Sequence, residues 1–584
     1  MMKTVVIARL ISWYQQKTIQ QQLWLFGAFA ILLIVTGIGL RDPWPADEPR
    51  FALIAKEMVD SGQWFFPSRA GEYYPDKPPV FMWAIALFYQ LTGSLNLAFL
   101  LPSALGSLLT VFLVVDLGSR LWSRKIGLTA GWLLLFSLQF TLQAKTAQID
   151  AMVCAFITIG CYGLLRFMLF DGLWRWYYMA WVAMGLGVIT KGVGFLPALM
   201  LLPYIWYRLA WPGAPIIRPA SGNSLRWLLG PIVMLLTIGC WFFPMLIQVA
   251  QSQDPLLLQY RDNILWKQTV TRYADSWHHI KPFWYYLVEV IPVFWLPLSL
   301  AIPWLVPQWW QALKRYDGRV LLPFAWIVLV LVFFAASPGK RGVYILPALP
   351  MLALIAAPYA ERLLQCKALN RWLWGLVALL STIFCLLGLA GVLGLKAVTK
   401  LADKFDVTPW FFLLMLGVAG VLILAITRRA KLWLSWPLFI SLFWLLYSTW
   451  GYNMLESVKT PKHVYKAMQN QLPADTELVL VDFAEQFVLF SPYPMTHFGF
   501  HSPLKEQIAA AYRWQTNHPE AVVLIDKQLL DGQCYDPTKA LHVGYAHRVE
   551  WVLLMDNARL AECQADGPVL RDFHYSPVKV GTQK

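Results

Sequence analysis

The chain has 584 residues, of which 58% are hydrophobic and 14% charged, with a mean hydropathy of +0.51. So much apolar surface excludes an ordinary water-soluble globule and indicates a protein that crosses a membrane many times. The net charge of +15 would suit nucleic acid in a soluble chain, but in a membrane protein a Lys/Arg excess reflects cytoplasmic loops and anionic headgroups, so no nucleic-acid partner is expected.

The first apolar run, residues 23–40, follows a polar stretch holding Lys3, Arg9 and Lys17. That bias keeps the N-terminus in the cytoplasm. The run is too long, and lacks the small-residue exit, for a cleaved signal, so it is predicted as a retained helix. A long outside loop, about 42–96, comes next and holds "DPWPADEPRF" and "GEYYPDKPPV"; its residues 79–93 are too short to span and are predicted as a helix lying at the membrane interface.

Runs of spanning length recur near 97–118, 126–144, 151–170, 177–190, 193–207, 227–249, 284–307, 320–336, 343–359, 372–395, 409–427 and 432–450. With the first, they predict about thirteen crossings. The basic clusters agree with the alternation: Arg120, Arg124 and Lys125; Arg166 and Arg175; Arg208, Arg218 and Arg226; Lys314, Arg315 and Arg319; Arg362, Lys367 and Arg371; Arg428, Arg429 and Lys431 all fall in connections on the inside. An odd number of spans then leaves the tail outside.

From about residue 455 the composition turns polar. "PKHVYKAMQNQ" reads as a helix, and "ELVLVDF", "AVVLIDK" and "VEWVLLM" as short strands. The expected architecture is therefore an α-helical polytopic membrane domain over 1–454, with periplasmic juxtamembrane helices, followed by a small extracytoplasmic α/β domain over 455–584. Of the seven cysteines, five (Cys154, Cys161, Cys240, Cys366, Cys385) lie in or beside apolar segments, and none shows metal spacing. Cys534 and Cys563, in the tail, either form a disulfide or stay two thiols, since sequence does not give their separation.

The unusual polar residues of the membrane domain collect on the outside face. Asp47 and Glu48 sit in the first loop with Tyr74, Asp76 and Lys77; Asp150 ends "AKTAQID"; Lys191 lies in "ITKGVGF"; Arg272, His278, His279 and Lys281 lie in "TRYADSWHHIKPFWYYL"; Lys340, Arg341 and Tyr344 lie in "SPGKRGVYILPALP". A transporter would more typically hold such groups at mid-membrane depth. Cations at the water boundary suit a lipid phosphate and stabilise charge on a departing phosphate, and a carboxylate opposite serves as base or orients an acceptor. The set fits glycosyl transfer from a lipid-phosphate sugar; it also fits phosphoryl transfer or headgroup binding.

The ordered series "ADEPRFA", "YPDKPPV", "TKG", "HIKPFWYYL" and "KRGVYILPALP" resembles the C-type glycosyltransferases that use polyprenyl-phosphate sugars. Within them it resembles the bacterial lipid A aminoarabinose transferases linked to polymyxin resistance, on a scaffold shared with protein O-mannosyltransferases. The resemblance runs through residues 20–450. It implies a bacterial inner-membrane enzyme with a periplasmic site, an undecaprenyl-phosphate sugar donor, and lipid A as acceptor. A protein or another glycan as acceptor, or a transporter without chemistry, are the alternatives. It also implies residue roles. Asp47 and Asp150 match the two catalytic acids, with Glu48 beside the first as a further candidate or as a helix-steadying group; Asp150 alone would read as an N-cap. Tyr74 and Lys77 match groups that hold the carrier phosphate, with Arg272, Lys340, Arg341 and Tyr344 as further candidates; the alternatives are interfacial anchoring and snorkelling. A divalent ion such as zinc is implied by Asp76 with His278 or His279, although two adjacent histidines do not easily face one ion. No other cofactor is expected.

Overall fold

The computed structural model describes residues 12–211, 224–252, 254–265, 280–405, 407–428, 431–530, 532–547, 549–561, 563 and 568–577. Arg272, His278 and His279 lie outside the described residues.

Seven described helices are long and apolar enough to cross a membrane: Leu95–Leu121, Ile149–Phe170, Leu225–Ser252, Gly318–Ala336, Lys367–Val392, Trp410–Thr427 and Leu432–Lys459. Two more runs are helix pairs bent at a break, Arg124–Leu135 with Leu138–Ala144 by 74° and Tyr286–Phe294 with Leu298–Lys314 by 109°. Ser137 occupies the N-cap position of the second piece in the first case, and Pro297 in the other, neither with a capping side-chain hydrogen bond; a proline disfavours helical backbone just before it, which is where that chain turns. Length and composition thus qualify seven to nine helices where apolar runs alone predict about thirteen. The remaining runs are shorter, interrupted, as at the 3-10 turns Leu196–Met200 and Gly342–Ile345, or, like the 18-residue helix Trp174–Lys191, less apolar. Val80–Thr92 has 13 residues, roughly 20 Å at 1.5 Å per residue, short of a hydrocarbon core.

The lipid-facing surface is legible in single helices. In Leu225–Ser252, Trp241, Met245 and Val249, four apart, are buried, while Leu228, Leu235, Phe243 and Ile247 are exposed. A helix apolar on its exposed side as well as its packed side is stable only where that side meets lipid.

The polar tail folds as expected. The helix Lys462–Gln469 and the strands β3 (Leu478–Leu480), β5 (Val522–Asp526) and β7 (Val549–Leu554) occupy the four segments read from the sequence, joined by β4 (Met495–His497), β6 (Leu541–Ala546) and β8 (Phe573–Tyr575). The sheet order is β6-β7-β5-β3-β4-β8, with β3 parallel to β4 and β5 and the other pairs antiparallel. Side chains alternate between two cores. Leu478, Leu480, Val522 and Leu524 pack with Val464 and Phe487, and Val479, Val523 and Ile525 pack with Ala510 and Ala511 on the other face. Strands buried on both faces read as continuous apolar runs, as these do. Cys534 and Cys563 form a disulfide across 29 residues.

This domain is seated on the first loop. Its core takes in Leu53 and Ala70, which lie on the helix Glu48–Ser61 and at the turn of the hairpin β1 (Ser68–Arg69) and β2 (Glu72–Tyr73). Ala70 and Gly71 both have positive φ, 51° and 82°, which gives a two-residue turn the twist its strands need.

His497 fastens the same junction. It is fully buried; its Nε2 lies 2.9 Å from the Ala70 carbonyl, and its Nδ1 accepts from the Gly499 amide at 3.2 Å. The ring is therefore neutral with the proton on Nε2, and a second proton would meet an N–H. Burial, helped by Arg69 and His574, lowers its pKa to about 4 from an ordinary 6.5. The unfolded chain takes up this proton first, so the contribution is full above pH 6.5 and lost as pH falls toward 4. The expected stability loss is on the order of 3 kcal/mol. His497→Gln keeps a donor and an acceptor without the titration, so the gap between its thermal midpoint and that of the unmodified chain should change across pH 6.5 to 4; a constant gap would refute the assignment.

Candidate active site

Helix ends place the acids. Asp47 occupies the N-cap position of Glu48–Ser61 but makes no capping hydrogen bond with its side chain. Its carboxylate instead meets Arg341 Nη2 at 3.2 Å and Arg50 Nη1 at 3.7 Å. Asp150 lies in the first turn of Ile149–Arg166, two residues past the N-cap position, which Gln148 holds. The neighbouring helix Trp174–Lys191 ends at Gly192, whose φ of 82° and N–H bonded to Val188 stop the helix and leave Lys191 in its last turn. An acid at one helix N-terminus and a base at the adjacent C-terminus both suit the helix dipoles. Lys191 Nζ is ion-paired to Asp150 Oδ1 and lies 4.5 Å from the centre of the Tyr344 ring.

These groups open into a cavity of about 720 Å³. Among the described lining residues, Arg50, Lys77, Lys191 and Arg341 accompany Asp47, Asp76 and Asp150, with Tyr74 and Tyr344 between them. Trp241, Phe242, Ile264 and Leu265 form an apolar wall. A pocket with cations at one end and an apolar flank matches a phosphate carried on a lipid chain. Tyr74 is buried beside Arg50, and burial raises its phenol so that it remains a hydrogen-bond donor. Lys77 sits among Pro75, Pro78 and Pro79 and donates to the Asp76 carbonyl at 2.9 Å.

Two residues of the sequence-derived set lie elsewhere. Glu48 does not line the cavity. It is buried behind it, with Oε1 accepting from Arg41 Nη2 at 2.7 Å and from the Ala147 amide at 2.9 Å, and Oε2 accepting from Arg41 Nη1 and, at 2.8 Å, from the Trp44 amide. It ties Arg41 and the amides of Trp44 and Ala147 together next to Asp47. Lys340 is also turned away, 4% exposed, with its ammonium donating to the carbonyls of Ser337 and Lys281. It ties one side of the loop that carries Arg341.

Several lining groups were not in that set. Lys191 is visible in the sequence as a cation in "ITKGVGF", but its pairing with Asp150 is not. Arg50 follows Asp47 by three residues and bridges to Glu485 of the C-terminal sheet domain at 2.6 Å, where Arg69 also binds at 3.1 Å. Phe500 and His501 reach the cavity from the same domain. The Phe500 amide donates to Glu72 Oε2 at 2.9 Å, and the Arg69 guanidinium lies 3.9 Å from the Phe500 ring centre. Nothing local in "FGFHSP" marks these two residues as part of a site in the membrane domain.

Of the implied metal ligands, only Asp76 falls among the described residues, and no group of three His, Cys, Asp or Glu there could hold an ion. The described residues therefore do not by themselves fit a metal.

The family model described as "Dolichyl-phosphate-mannose-protein mannosyltransferase" matches residues 76–243. An undecaprenyl phosphate-α-4-amino-4-deoxy-L-arabinose arabinosyl transferase of Sodalis glossinidius is 30% identical over 445 residues, 74% of this chain and 75% of its own length. One from Pseudomonas fluorescens is 33% identical over 382 residues, 62% of this chain and 64% of its own length. The crystal structure of ArnT from Cupriavidus metallidurans bound to undecaprenyl phosphate superposes with a TM-score of 0.70 at 21% identity, covering 94% of this chain and 99% of that one, so the two share a fold. With the cavity at one end of such a bundle and relatives matched over most of its length, the chain belongs to the undecaprenyl phosphate-aminoarabinose arabinosyl transferase family of C-type membrane glycosyltransferases.

Proposed function

We propose that the protein transfers 4-amino-4-deoxy-L-arabinose from undecaprenyl phosphate to lipid A at the periplasmic face of the bacterial inner membrane. In this reading residues 1–454 carry the transfer machinery with the N-terminus in the cytoplasm, and residues 455–584 form a periplasmic domain that walls the site. The observation that carries it is the pairing, in one amphipathic cavity, of two acid–cation pairs, Asp47 with Arg341 and Asp150 with Lys191. The names of the relatives supply the donor sugar.

The bond from the anomeric carbon to the carrier phosphate oxygen breaks as the bond to the acceptor oxygen forms on the opposite face, with inversion. The carrier leaves as a phosphate monoester. Lys77, Arg341 and Tyr74 neutralise and hydrogen-bond that phosphate as its charge grows. The carboxylates of Asp47 and Asp150 stabilise the positive charge that develops on the sugar ring and keep the neighbouring cations in place. A lipid A phosphate is already a nucleophile at neutral pH, so this acceptor requires no general base.

Lys77→Ala tests the donor site. Loss of one charged hydrogen bond should weaken undecaprenyl phosphate binding by about 1.5 to 3 kcal/mol, with the thermal midpoint of the lipid-free protein unchanged; Lys77→Arg should retain part of the affinity. Equal titration curves for Lys77→Ala and the unmodified chain would reduce Lys77 to an interfacial anchor. The mass of lipid A from cells with and without the chain tests the reaction itself. Labelled donor that crosses vesicles intact, with no new covalent product, would replace transfer by transport.

A further inference from the structure

A second cavity, of about 690 Å³, lies at the other end of the bundle. The helix Gly318–Ala336 fixes its place: Arg319, in its first turn, lines this cavity, and Phe334, near its last, lines the first. Fifteen residues of α-helix separate the two by roughly 20 to 25 Å, close to the depth of a hydrocarbon core. The segment from Asp150 to Phe170 repeats the relation, with Asp150 at one cavity and Phe170 at the other. The two cavities therefore belong to opposite leaflets.

The chemistry of this second cavity is cationic on an apolar base. Among the described lining residues, Arg315, Arg319 and Arg362 stand against one carboxylate, Asp317. All three guanidinium groups lie within electrostatic reach of the Tyr359 hydroxyl, which converges on the same space. Arg319 is fixed by Asp317, with Nε and Nη2 each 2.8 Å from a carboxylate oxygen, and Arg362 donates to the Gln308 side chain. Leu121 and Ala312, both buried, form the apolar side with Leu169 and Phe170.

Forked guanidinium donors match phosphate oxygens, and a basic pocket between helices at headgroup depth matches an anionic lipid. A free phosphate would use the cations but leave the apolar side wet. We infer that this cavity binds the phosphodiester headgroup of an anionic phospholipid of the leaflet opposite the catalytic cavity, held by Arg315, Arg319 and Arg362, with the start of its acyl chains against Leu169 and Phe170. The inference stands independently of the transfer reaction.

The test is native mass spectrometry of the purified full-length chain in neutral detergent, titrated with phosphatidylglycerol, phosphatidylcholine or inorganic phosphate. Phosphatidylglycerol should bind about tenfold more tightly than phosphatidylcholine, and the double variant Arg315→Ala/Arg362→Ala should lose at least about tenfold of that affinity. Arg315→Lys/Arg362→Lys should keep part of it. Should the alanine variant fail to fold, the lysine variant and Gln308→Glu, which sets a carboxylate against Arg362, decide the matter: both should weaken the phosphatidylglycerol adduct at an unchanged thermal midpoint. Equal binding of the two lipids, an undiminished adduct in the variants that fold, or displacement of phosphatidylglycerol by equimolar inorganic phosphate would overturn the assignment.

Discussion

Asp47→Asn and Asp150→Asn are each expected to lower sugar transfer by roughly a hundredfold to ten-thousandfold, the range over which positioned acid–base and electrostatic groups act. Both replacements are nearly isosteric. Each removes the negative charge opposite a cation, Arg341 or Arg50 for Asp47 and Lys191 for Asp150, while an amide oxygen can still accept a hydrogen bond from it. Folding should therefore be little changed, and undecaprenyl phosphate binding should hold or tighten, because an uncompensated Arg341 or Lys191 attracts phosphate more strongly. Transfer assayed with labelled donor and lipid A, beside a donor titration, separates the two effects. Full transfer by both variants would remove the two acids from the chemistry, whatever their position in the cavity.

Glu48→Ala should give the opposite signature. Arg41 would remain buried, 3% exposed, without its carboxylate, and removing one partner of a buried ion pair costs about 3 to 5 kcal/mol. The amides of Trp44 and Ala147, which donate to the same carboxylate, would lose their acceptor as well. The expected result is a large drop in thermal midpoint and in the yield of folded protein. Glu48→Gln should fall between, since it keeps acceptors for the amides but not the charge. A Glu48→Ala protein of ordinary stability that had lost all transfer would return Glu48 to the catalytic set.

The contrast between Asp47 and Glu48 shows what the sequence could and could not convey. The acidic pair was visible, but successive residues entering a helix point about 100° apart, so one carboxylate reaches the cavity and the other the loop behind it. Lys340 and Arg341 separate for a related reason: Arg341 has extended backbone, φ −122° and ψ 142°, and adjacent side chains along extended chain point to opposite sides. Adjacency in sequence does not tell which of two neighbours faces the cavity; backbone geometry does. The membrane class, the positions of the long apolar helices and the four elements read in the tail were legible because apolar runs and alternation are local signals. The bends at 74° and 109° were not, because an apolar run reads alike whether straight or broken. Phe500 and His501 are invisible for a further reason: their place in the cavity depends on docking the C-terminal sheet domain through Glu485, His497 and Leu53, and no window of sequence contains both partners.

That docking also sets a clock. Arg50 and Glu485, which join the two halves of the site, are 435 residues apart in the chain. At about 5 to 20 residues per second, synthesis of the intervening chain takes roughly 20 to 90 seconds. During that interval the first acid has already been made, while Phe500 and His501, which form one wall of its cavity, have not. A nascent chain is thus an incomplete enzyme until its tail has emerged, folded and settled on the first loop, and a product cut short before Glu485 would carry both acids without the wall formed by Phe500 and His501.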